Sequence, residues 1–200
     1  MDKQDLYNTI EKPSVAEFSD RGSKFIAYAY PIQSVEDFKQ RLNDIKKEHP
    51  RATHHCFAYR IGTDGNNFRV SDDGEPSGSA GRPILGQIDS KQLTNTLVIV
   101  VRYFGGVLLG VPGLINAYKT SAALCLQVTP IIAKSVEVRY KLEFPYVQLD
   151  HVLKLLKQSE ATVVKKDIQL FCVLEVMIPK HRVELLLARL GSDVVGMLVG

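Results

Sequence analysis

The chain lacks the residue patterns that build disulfide scaffolds and metal centres. Its three cysteines, Cys56, Cys125 and Cys172, are far apart, odd in number and never in C-x-x-C spacing. Small buried hydrophobes in a reducing compartment are the expectation for them. A nucleophilic Cys56 beside His54 and His55 is the other reading. Long apolar runs are also missing: the longest, around TLVIVV, falls far short of a bilayer span. The opening MDKQDLYNTIEKPS has no basic stretch followed by an apolar one, so no signal peptide is expected and the cytoplasm is the simplest compartment. EF-hand spacing, H-E-x-x-H, the Walker lysine and G-x-S-x-G are absent. No metal, cofactor or membrane is therefore expected. Low-complexity tracts and close internal repeats are absent as well.

What is present is ordinary for a folded chain. Hydrophobic residues make up 45% and charged residues 24% of 200 residues, enough for one large domain or two small ones. The formal charge of +3 neither demands nor excludes a nucleic-acid partner. The basic residues cluster, however. IKKEHPRATHH carries Lys46, Lys47, Arg51 and three histidines, and Arg21, Lys24, Arg60 and Arg69 lie in the same half.

Periodicity places the elements. NTIEKPSVAEF and SKFIAYAYPI read as extended runs joined by SDRG. SVEDFKQRLNDIKKEH reads as a helix with Ser34 as N-cap and Asp37 completing a capping box. THHCFAYRIG and FRVS read as strands around a TDGNN turn, with Cys56 and Ala58 on one face. GRPILGQIDS reads as a short helix, NTLVIVVRYF as a buried strand and PGLINAYKTSAALCLQV as a long helix. After TPIIAKS the order becomes strand, helix, strand, strand, helix, strand, which is ferredoxin-like. The expected domains are residues 1–132 and 133–200.

Two stretches could carry function. In SDDGEPSGSAGR, three acids (Asp72, Asp73, Glu75) crowd a Gly/Ser-rich bend, and Ser79 can cap the helix that follows. Free N–H groups at that helix start, with Ser77, Gly78 and Arg82, could hold a phosphate or carboxylate. A purely structural loop and an acid–base site remain open. In RYFGGVLLGVPGL, a buried strand delivers Arg102 and Tyr103 to a Gly105-Gly106 corner. The expectation is that both stretches meet at one end of the sheet, beside His54, in a polar patch.

Taken together, HHCFAYRIG, SDDGEPSGSAGRPIL and VIVVRYFGGVLLGVPGLINAYKTSAAL resemble the YigZ/IMPACT family. The pattern falls on His54, Cys56, Ala58, Asp72, Asp73, Gly74, Glu75, Pro76, Gly78, Ala80, Gly81 and Pro83, then on Arg102, Tyr103, Gly105, Gly106, Gly110, Gly113, Leu114, Ala117 and Tyr118. Pro112 departs from it, replacing a small residue, which suits a first helical turn but removes an N–H. The resemblance implies an α+β protein: an N-terminal domain like domain 2 of ribosomal protein S5, then a ferredoxin-like domain similar to domain V of elongation factor G. Eukaryotic relatives regulate translation by interfering with activation of a stress kinase and carry a separate partner-binding domain before this one, so that role is not carried over. For this chain the implied role is binding of rRNA, tRNA or the ribosome, with candidate contacts at His54, Asp73, Glu75, Ser77, Gly78, Arg82, Arg102, Tyr103, Gly105 and Gly106. The alternatives are a hydrolase on a phosphate- or peptide-type substrate using Asp72, Asp73, Glu75 and His54, or an adaptor with a protein partner.

Overall fold

A computed structural model describes residues 5–199. The chain divides into two compact units, Tyr7–Lys134 and a second made of residues 135–199 with Asp5 and Leu6. In chain order the first holds β1 (Leu6–Ile10), β2 (Ser14–Asp20), β3 (Ser23–Pro31), α1 (Val35–Glu48), β4 (His54–Ile61), β5 (Asn67–Ser71), α2 (Gly81–Ser90), β6 (Thr96–Tyr103), α3 (Gly110–Val128) and β7 (Ile131–Ser135). β1 and β7 form a two-stranded ribbon, and the other strands form a sheet in the order β2-β3-β6-β4-β5. All its pairings are antiparallel.

Helices cover both faces of this sheet, and strand parity sorts the side chains between them. Leu97, Ile99 and Val101 of β6 pack with Phe57 and Tyr59 of β4 against Phe38 and Ile45 of α1. Val98 and Val100 pack with Cys56 and Ala58 against Ile84 of α2 and Ala117, Tyr118 and Ala122 of α3. Both faces of β6 are thus buried, which explains its unbroken apolar run. Alternation also puts Arg102 and His54 on the α2/α3 face, at the strand ends.

Local chemistry starts the helices. Ser34 Oγ accepts from the Asp37 N–H at 3.1 Å while Asp37 Oδ2 accepts from the Ser34 N–H at 3.1 Å, a full capping box. Hydrogen bonds from the backbone of Gln33 and Ser34 hold the Asp37 carboxyl below its usual range. For α2 the expected cap by Ser79 does not form: Ser79 Oγ donates to the Pro76 carbonyl at 2.6 Å, and Ala80 stands at the cap. α3 starts at Gly110, two residues before the expected Pro112. Pro112 lies within the first turn, where N–H groups have no intrahelical acceptor.

The second unit holds β8 (Glu137–Pro145), α4 (Leu149–Gln158), β9 (Thr162–Asp167), β10 (Phe171–Pro179), α5 (Val183–Leu190) and β11 (Val195–Leu198). Its sheet runs β11-β8-β10-β9, antiparallel throughout. That order and helix placement make it ferredoxin-like. Leu142, Phe144, Leu174 and Val176 of the sheet pack against Val152 and Leu156 of α4 and Leu186 of α5.

Candidate functional site

The acid-rich bend and the diglycine corner come together at one end of the first sheet. Glu75 and Arg102 are the core of the meeting. Arg102 Nη1 donates to Glu75 Oε1 at 2.6 Å, and the two side chains are only 6% and 3% exposed. The Tyr118 hydroxyl donates to the same oxygen at 2.7 Å. His54 Nε2 stands 3.7 Å from it. Strand parity supplies Arg102 and His54, α3 supplies Tyr118, and the bend closed by the Glu75 N–H donating to the Asp72 carbonyl at 2.9 Å brings in the buried Glu75. The expected polar patch is therefore mostly beneath the surface.

The three acids have separate fates. Asp72 turns inward: its carboxylate accepts from the N–H groups of Gly78 (2.8 Å), Ala80 (3.0 Å) and Gly81 (2.8 Å). Burial works to raise its pKa, but these backbone donors outweigh burial and hold it below the usual range. Asp72 thus occupies the helix start that looked open to an external anion. Asp73, with φ of 43°, accepts from the His55 N–H through Oδ2 at 2.6 Å. Its carbonyl lies 2.7 Å from His54 Nδ1. Glu75 alone faces the network below the corner.

Cys56 lies next to this network and carries no nucleophile's environment. Its thiol is buried, donates to the Asp72 carbonyl at 3.0 Å and reaches the Tyr118 hydroxyl at 3.3 Å. Burial pushes the pKa values of Cys56 and Tyr118 upward, so both keep their protons.

The remaining candidates are spread along the rim. Gly105 packs its backbone on the Gly22 turn so closely that a Cβ would lie 1.9 Å from the Gly22 carbonyl carbon. Its N–H donates to Ser23 Oγ at 3.2 Å. Gly106 is exposed with φ of 84°. Ser77 and Arg82 are exposed, while Gly78 serves Asp72. Tyr103 faces the other side of the sheet, where its hydroxyl bonds His49 Nδ1 at 2.8 Å, so it does not join the Glu75 cluster.

Above the Glu75–Arg102 pair opens a cavity of about 420 Å³ whose apolar wall is Phe104, Leu108, Leu109, Val111 and Leu114. Phe104 is 47% and Leu108 82% exposed. The Arg102 guanidinium lies 5.6 Å from the Phe104 ring centre. From sequence, Tyr118 reads as part of the apolar face of a helix, and within RYFGGVLLGVPGL the expected contacts are Arg102, Tyr103, Gly105 and Gly106, not Phe104 or the apolar residues that follow. The signal available for Tyr118 was a hydroxyl inside an apolar helix stripe, which needs a buried partner.

The geometry defines a class: a two-unit α+β protein, S5 domain 2-like then ferredoxin-like, with a buried carboxylate–guanidinium network under a rim cavity of the first unit. The Impact N-terminal domain model matches residues 21–126. The chain is 35% identical over 172 residues to the IMPACT family member YigZ of Escherichia coli, covering 85% of this chain and 84% of that one. It is 43% identical over 141 residues to an IMPACT family member of Thermus thermophilus, covering 70% and 75%. A crystal structure described as that of a hypothetical protein is 30% identical, with a TM-score of 0.82 over 98% of both chains. The chain belongs to the IMPACT family.

Proposed function

We propose that this chain is a translation-associated regulatory protein that binds RNA, on the ribosome or free, through the Arg102 end of its first sheet. The observation that carries the reading is the gathering of exposed cations around that end. Thr53 donates its N–H to the Arg102 carbonyl at 2.8 Å, which brings the Arg51–His54 segment to the diglycine corner. The Gly22–Gly105 contact brings in Arg21. The His49–Tyr103 bond fixes the end of α1, with Lys46 and Lys47 in its last turn. Arg21, Lys46, Lys47 and Arg51 are exposed. Among the described residues none of them is in a salt bridge, whereas Lys24 is held by Glu17 at 2.8 Å. Asp20, Glu48 and Asp73 share the rim, so the field is local and not broad.

Unpaired cations on a rigid rim suit a phosphate backbone, whose neutralisation releases counterions. Four such contacts to RNA give a log–log salt slope of about −3. Filter binding of the chain to ribosomes and to isolated rRNA across a salt series tests this. The expected result is micromolar retention that falls on the order of fiftyfold between about 50 and 200 mM salt. Retention that ignores salt, or none at micromolar protein, contradicts the reading.

A further inference from the structure

Both helices of the second unit pack on the same face of its sheet, against even-numbered residues such as Leu142 and Leu174. Odd-numbered residues of β8 and β10 point to the opposite face, which carries Phe171, Val173 and Met177. Val195 and Met197 of β11 share that face, opposite Glu143 and Lys141, and both are exposed. An apolar tip projects at one end. There the Tyr146 N–H donates to the Leu170 carbonyl at 3.0 Å and ties the turn after β8 to the turn before β10. Val147 and Leu170 are each 87% exposed, and Phe171 71%. We propose that this sheet face and its tip form the interface of a two-fold homodimer; the proposal is independent of the RNA reading above.

Charge and size identify a second copy as the occupant. On this face Arg139 and Lys165 pair with Glu175, and Lys141 pairs with Glu143. Asp167 brings the acids level with the cations, and Glu137 at the far end adds one more acid. An RNA backbone or an anionic lipid surface needs a surplus of cations, which this face lacks. A surface of one sign repels its own copy, whereas one of mixed sign can meet its like across a two-fold axis. The ion pairs are complete within one copy, so covering them strands none of the paired charges. Apolar surface rimmed by polar residues in this way marks a site of association. β8 and β10 are each nine residues long, which makes the face roughly 30 Å long and four strands wide. With the projecting tip it offers on the order of 700 Å² per copy, close to the ~800 Å² that a specific interface buries on each partner.

The test is sedimentation equilibrium of the full chain between about 5 and 200 μM. The expected result is a mass that rises with concentration from one chain toward two. Phe171→Asp and, separately, Leu170→Asp should each raise the dissociation constant by about tenfold or more. Both positions are exposed in the single chain, so the melting temperature at the lowest concentration should stay unchanged. Phe68→Asp, at an exposed position of the first unit, should dimerise as the parent chain does. A single-chain mass at every concentration would overturn the proposal. So would a dimer that Phe68→Asp breaks and the two tip variants leave intact. A chain that stays monomeric, yet loses retention on rRNA or on phosphatidylserine vesicles through Phe171→Asp, would overturn it in favour of that ligand.

Discussion

Glu75, Asp72 and Asp73 sit within four residues, yet the fold gives each a different partner. Glu75 is the one whose charge is held against a buried cation. Replacing it by glutamine keeps the shape and leaves Arg102 buried without a counter-charge. Glu75→Gln should lower stability by about 3 kcal/mol, read from urea denaturation, because an uncompensated buried charge is costly. A double replacement, Glu75→Leu with Arg102→Met, should recover most of that loss. A single-variant change below about 1 kcal/mol would show that the pair is not what closes this end of the sheet. At this scale the sequence marks the right segments but not the pairing. That Asp72 caps α2 from eight residues upstream depends on the path of the intervening loop, and no local spacing rule encodes it. Glu75 meeting Tyr118 depends on the docking of α3, which is equally non-local.

Elements were far more legible than residues. The period-2 alternation in β4 and the unbroken run in β6 follow directly from burial on one or both faces, and the α1 capping box follows from Ser34 and Asp37. The start of α2 did not, because its cap is an aspartate side chain reaching three N–H groups and not the adjacent serine. That gives a prediction for the element. Asp72→Ala should cost about 2 kcal/mol, since several charge-assisted bonds to a helix start are lost together. Hydrogen exchange should speed up at the amides of Gly78, Ala80 and Gly81 while the α1 amides hold. Unchanged exchange at those three amides would contradict the capping role. The stretch from Phe104 to Val111 is marked in the sequence by its glycines, but its role as a cavity wall is not, because apolar residues in a connection carry no local signal that one of them, Leu108, stands in solvent.

At the scale of the molecule, the order of strands and helices in the second unit was readable because a ferredoxin-like unit is simple in sequence order. The first unit's sheet order was not, since β6 enters between β3 and β4, two strands that precede it and are themselves separated by α1. Among the described residues no helix is long and apolar enough to cross a membrane. The proposed RNA contact lies at the Arg102 end of the first sheet. Hydrogen exchange of the chain with and without ribosomes addresses it most directly. Protection of Arg21–Lys24, Arg51–His54 and Phe104–Leu108 is the expected result, with the amides of β10 unchanged. Protection confined to the second unit, with those three segments exchanging as in the free chain, would contradict it.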